Sequence, residues 1–131
     1  MSHPLHHAMS SAKKHGGHFE DYLPIHSWFD ESKSSFPDMR HRAMRHHSEG
    51  IFWCEQIFGT YITNSDGKMV PVRVIGEQHC MEDLGWIPTM KDYLECMSKE
   101  NWIFKSADAR KIARQVADEG LDKVKPETAE L

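Results

Sequence analysis

The chain has 131 residues, 39% hydrophobic and 27% charged, with a formal charge of -4. That suits one domain with a real core, and the mild acidity argues against a general nucleic-acid binder. No apolar run is long enough to span a bilayer, and the N-terminus lacks the apolar core of a signal peptide.

The unusual number is ten histidines, nine of them at or before residue 47 and the tenth at His79. Cys54, Cys80 and Cys96 are odd in number and form no CxxC pair. They read as reduced, mostly buried thiols of a cytosolic protein, which disfavours a thiolate zinc site.

Residues 3–15 predict a first helix, opened by Pro4 and closed by Gly16-Gly17. His3 and His7 lie four apart, so both imidazoles project from one face and can reach one ion. A short turn follows, then a second helix from about Pro24 with Ile25, Trp28, Phe29 and Phe36 on one side. On it His26 and Asp30 lie four apart, a spacing that lets a carboxylate orient an imidazole or form a surface ion pair.

Pro37 to Gly59 reads as the longest helix and the centre of the domain. Ser35, Pro37 and Asp38 supply start signals and Gly59 the stop. At about 100° per residue, Met39, Ala43, Met44, Gly50, Ile51, Trp53, Cys54, Ile57 and Phe58 share the apolar side. His47 falls near its middle, His46 toward one edge, and Arg40 points inward. Either histidine can be the inward one, because a modest rotation exchanges them. His41 and the His46–Glu49 pair, three apart, lie on the same stretch. By this count Glu49 faces the polar side.

Asn64-Ser-Asp-Gly67 marks a hairpin over about 60–75, with Val70, Val72 and Val74 alternating and Pro71 at an edge. Gly76 to Gly85 predicts a short helix on which His79 meets Glu82 three residues on and Asp83 four residues on. Thr89 and Asp92 form a capping box for a helix from Met90 to about Met97. From residue 98 onward an appended connector carries the aromatic residues Trp102 and Phe104, which either dock on the core or anchor a partner. An amphipathic helix over 106–119 and a polar tail follow. The fold class is mainly α (α+β): a small bundle around helix 37–58, one hairpin and a C-terminal helix, divided as 1–97 and 98–131.

The strings HPLHHA, EDYLPIHSWFDESK, HRAMRHHSEGIF and ITNSDGKMVPVRVIGEQHCMEDLGWIP resemble a family of small bacterial and phage proteins carrying a domain of unknown function, over residues 3–97. The resemblance implies a free-standing domain and no particular reaction. It singles out His3, His7, His26, His41, His46, His47, His79, Glu82 and Asp83.

Histidines on several helices suggest a metal site, with His3, His7, His46, His47 and His79 as candidate ligands. His26, Asp30, His41, Glu49, Glu82 and Asp83 are supporting or alternative ones. Such ligands suit zinc, iron, manganese or nickel, and an open position would make the domain a metal-dependent hydrolase. No phosphate loop or nucleophile elbow accompanies them. Two readings compete with this one. In the first, the chain is a non-catalytic binding protein, for example an inhibitor of a host defence complex, acting through a protein partner or self-association. In the second, the histidines form only a buried structural network.

Overall fold

The computed structural model describes residues 3–104 together with Arg114 and Ala117. Two compact units divide the chain, Met1–Cys96 and Met97–Leu131. The architecture is mainly helical with one antiparallel hairpin. Among the described residues no helix is long and apolar enough to cross a membrane.

Helix α1 spans Pro4–His15. His3 caps it, its Nδ1 accepting from Leu5 N at 3.1 Å, and Gly16 ends it at φ 84°. A 3-10 turn at Phe19–Asp21 leads to α2, Leu23–Asp30, which runs into a second 3-10 turn at Glu31–Ser34.

The continuous helix expected over 37–58 is broken in the structure. A 3-10 turn at Met39–His41 feeds the short α3, Arg42–Arg45, and α4 begins only at Ser48 and runs to Phe58. Between them the chain makes an inverse γ-turn on His46, at φ -83° and ψ 66°, closed by His47 N donating to Arg45 O at 2.9 Å. His47 is fully extended. Interactions from distant sequence hold the break open: Ser48 N donates to Pro88 O at 2.8 Å, and Tyr93 Oη donates to His46 O at 2.9 Å.

The break resets the helical phase, which corrects the apolar side assigned by an unbroken count. Met39, Met44 and Ile57 are exposed, and Arg40 lies outside, paired with Asp38.

Strands β1, Tyr61–Thr63, and β2, Met69–Pro71, pair with Ile62 opposite Val70. The Asn64 side chain organises their turn by accepting from Asp66 N and Lys68 N. The hairpin is shorter than expected. Val72 and Val74 do not extend β2 but open α5, Val72–Leu84, which ends at Gly85 with φ 79°. Burial overrides β-propensity here. Val72, Ile75, Gly76, His79 and Cys80 form a buried helical stripe. Gly76 allows close packing, since a Cβ there would sit 3.1 Å from Phe29 and 3.2 Å from Ile51. Helix α6, Met90–Glu95, carries the expected capping box of Thr89 and Asp92.

In the second unit Asn101–Phe104 forms a 3-10 turn with Trp102 and Phe104 exposed. Of the helix expected over 106–119, only Arg114 and Ala117 fall among the described residues, and both are helical. The rest, with the polar tail, lies outside them.

The apolar core comprises Ala8, Tyr22, Ile25, Phe29, Ile51, Cys54, Val70, Val72, Ile75 and Cys80. Beside it His7, His26, His41, His46, His47 and His79 are all fully buried. Burying that many imidazoles is costly unless each polar atom is satisfied, so their partners determine what the domain can do.

A candidate metal centre

Three elements aim imidazoles and carboxylates at one point. Helix α2 presents Asp30 at its last residue. The γ-turn presents His46. Helix α5 presents His79 and Asp83, four apart on one face. His46 Nε2 lies 3.1 Å from His79 Nε2, 3.0 Å from Asp83 Oδ2 and 3.4 Å from Asp30 Oδ1. His79 Nε2 lies 3.2 Å from Asp83 Oδ2 and 3.4 Å from Asp30 Oδ1. A fifth side chain, His7 on α1, places Nε2 3.1 Å from the other Asp83 oxygen, Oδ1. The side chains of all five are buried. His7, Asp30, His79 and Asp83 each offer one ligand atom within 4.8 Å of the others, and so do Asp30, His41 and His46. These buried groups are therefore close enough to hold a metal ion.

The imidazoles share an orientation. His7, His46 and His79 face the centre with Nε2 and turn Nδ1 outward. Glu82 Oε1 meets His7 Nδ1 at 2.7 Å, and His26 Nδ1 meets His79 Nδ1 at 2.9 Å. Glu82 is held in turn by Ser10, at 2.6 Å, and by Lys14 at 3.5 Å. Outward partners of this kind fix the ring and the tautomer of metal-binding histidines. His46 Nδ1, His41 Nε2, Asp30 Oδ2 and Arg42 Nε are buried without a protein partner. Arg42 lies at the rim, its guanidinium 3.8 Å from Asp83 Oδ1.

Two buried carboxylates this close need positive charge between them. Without a metal, protons supply it. Burial alone would lower the pKa of His7, but Asp83 and Glu82 lift it above the ordinary imidazole range. Asp30 and Asp83 do the same for His46. Conversely, burial would raise Asp83, but the imidazoles of His46, His7 and His79 hold it well below the usual carboxylate range. His26 has no carboxylate partner. Burial, then the neighbouring His79 and His7, push it down to about 2, so it is neutral.

The remaining candidates go elsewhere. His3 caps α1 at the surface, away from the centre. His47 turns away from this cluster. Its Nδ1 accepts from Gly50 N at 2.8 Å, capping α4, and its Nε2 donates to Ala43 O and Met44 O at 3.1 and 3.2 Å. Glu49 accepts from Met90 N. His41 lies beside the site, its Nδ1 3.2 Å from Ser32 Oγ. Cys54 and Cys80 are buried thiols pushed up to about 12, chiefly by desolvation, and so stay protonated at neutral pH. The sequence reading missed Ser11, Gln78 and Arg42. Ser11 stands four residues after His7, which was a legible signal. Nothing local marked Arg42.

The His47 cap yields a pH prediction. Burial lowers its pKa from 6.5. As pH falls, the unfolded chain takes up the proton first, so the His47 contribution is present above about 6.5 and lost as pH drops toward the folded value. His47→Asn keeps a cap acceptor that does not titrate. Urea denaturation at pH 7 and 5.5 should show a smaller acid-side loss of stability in the variant than in the native protein. Equal losses would show that His47 is not held neutral by the cap.

A family model described as "Domain of unknown function (DUF6915)" matches residues 2–103. No curated protein and no solved structure matches the chain.

Proposed function

The chain belongs to this family of unknown function, and from the geometry of its buried centre we propose that it is a metal-binding domain holding one divalent transition-metal ion. Asp30, His46, His79 and Asp83 are the ligands, with His7 beside them on the second Asp83 oxygen. The carrying observation is the spacing of four ligand atoms. Five of the six separations among Nε2 of His46, Nε2 of His79, Asp30 Oδ1 and Asp83 Oδ2 run from 3.0 to 3.4 Å. A tetrahedral ion with metal–ligand bonds of about 2.0–2.1 Å requires edges of about 3.3–3.4 Å. Two imidazoles and two carboxylates suit zinc, iron, manganese or nickel better than magnesium or calcium.

Four buried protein ligands describe a closed centre, and closed centres serve folding. An ion here ties α2, the γ-turn and α5 together, and through His7 also α1. The metal is then a folding cofactor that fixes the broken helix.

A hydrolytic role is the second reading, and Arg42 favours it. Its guanidinium reaches the rim of the centre beside Asp83, with Nε unpartnered, where it can bind an anionic substrate group. Turnover of an activated phosphate ester by the metal-loaded protein, lost in Arg42→Lys, would support that role.

Elemental analysis of untagged protein tests the primary reading. About one equivalent of transition metal per chain is expected, with a fall in Tm on adding EDTA. No bound metal, and no change in Tm when zinc, manganese, iron or nickel is added back, would overturn it.

A further inference from the structure

A buried chain of hydrogen bonds runs away from the centre behind His79, and its direction can be read. Gln78 Nε2 lies 3.1 Å from His7 O and 3.3 Å from Glu82 Oε1. Both partners only accept, so the amide nitrogen must point at them, and Gln78 Oε1 is left as an acceptor. Ser11 Oγ lies 2.9 Å from that oxygen and must donate to it. The single Ser11 proton is then committed. His26 Nε2, 2.7 Å from Ser11 Oγ, must therefore carry a proton and donate. A neutral His26 has a lone pair on Nδ1, 2.9 Å from His79 Nδ1, which must donate in its turn. With its proton held on Nδ1, His79 has Nε2 left as the nitrogen that faces His46, Asp83 and Asp30. Every member of the chain is buried.

We propose that Gln78, Ser11 and His26 form a tautomer lock that presents the His79 Nε2 lone pair to the centre and so sets its affinity for a cation. The Gln78 amide supplies the direction, because it is anchored to two groups that cannot donate. These three are positioning residues, acting through His79. The lock is not a proton wire, since an amide does not pass protons along. Because the ring is already fixed with Nδ1 as donor, a cation entering between the carboxylates meets Nε2 without a change of tautomer, which favours binding.

The consequence for affinity rests on the metal reading, but the lock itself is testable without metal. In the metal-free protein, two-dimensional ¹H–¹⁵N correlation of ¹⁵N-labelled histidine side chains at neutral pH should show His26 as the neutral Nε2–H tautomer with a bare Nδ1. His26 protonated on Nδ1, or doubly protonated, would overturn the lock whether or not the protein binds metal. In the zinc-loaded protein His79 should carry its proton on Nδ1 and show coupling across the N–H···N bond to His26. A proton on His79 Nε2 in protein that retains zinc would overturn the lock and take His79 out of the ligand set, while metal binding by the chain itself would stand.

Ser11→Ala and Gln78→Leu break the chain without touching a ligand. Each should raise the zinc dissociation constant about 10–100-fold, read by competition with a chelating dye. A folded variant with unchanged zinc affinity would overturn the proposal. Should both variants fail to fold, the tautomer measurements on the native chain still decide it.

Discussion

Asp83→Ala is expected to abolish metal retention and to cost about 3–5 kcal/mol of stability, the loss typical of removing one partner from a buried charged network. Asp83 is the most connected ligand candidate. Oδ2 faces His46 Nε2 at 3.0 Å and His79 Nε2 at 3.2 Å, and Oδ1 faces His7 Nε2 at 3.1 Å. Its side chain is 1% exposed, so water cannot take over these contacts. Without it His46 and His79 converge on Asp30 alone, His7 keeps only Glu82, and Arg42 loses its nearest carboxylate. Urea denaturation with and without EDTA separates the metal contribution from the rest. EDTA should lower the stability of the native protein and leave the variant unchanged, because the variant holds no ion to remove. An equal EDTA effect in both would place the metal elsewhere. Asp83→Asn keeps the shape and removes the charge. It should lose less stability than Asp83→Ala, yet retain no more metal.

Gly50→Ala touches no ligand and is expected to damage the site as severely. A Cβ at Gly50 would lie 1.9 Å from Arg45 O, 2.7 Å from Arg45 C and 3.0 Å from Arg45 Cα. All three are backbone atoms, so no change of rotamer relieves the clash. The chain from Arg45 to Gly50 must open, and that segment holds the γ-turn that aims His46 inward. It also holds the cap, since Gly50 N donates to His47 Nδ1. Overpacking a tight site costs about 1–3 kcal/mol and occasionally more, and a backbone collision belongs at or beyond the top of that range. Thermal melting should show a large drop in Tm, and elemental analysis should show metal lost as well. A Gly50→Ala protein with native stability and native metal content would disprove the role assigned to the break.

Reaching inward from the chain break explains why two adjacent histidines have unrelated tasks. On a continuous helix His46 and His47 would differ by about 100° and compete for one direction. In the γ-turn both are fully buried and point at different things, His46 at the carboxylates and His47 at the start of α4. The choice between them was open in the sequence because it depends on the path of the backbone and not on residue type.

Local residue signals specify the helical class and most element ends. Pro4, Gly16, Gly59, Gly85, the Asn64–Gly67 turn and the Thr89–Asp92 box act through their own backbone preferences, within a few residues of the feature they set. Such signals also specify the i, i+4 pairs His26–Asp30 and His79–Asp83, since helical spacing alone puts each pair on one face. Contacts across the fold settle the rest. Val72 became helical because its side chain is buried in a stripe with Ile75 and Cys80. The expected central helix broke at a turn stabilised from Pro88 and Tyr93, some forty residues away. Asp30 and Asp83 moved from supporting candidates to the middle of the cluster, while His3 and His47 left it. Each of these outcomes turns on a contact between residues distant in sequence, and burial, steric collision and hydrogen-bond satisfaction across such distances leave no local pattern to read.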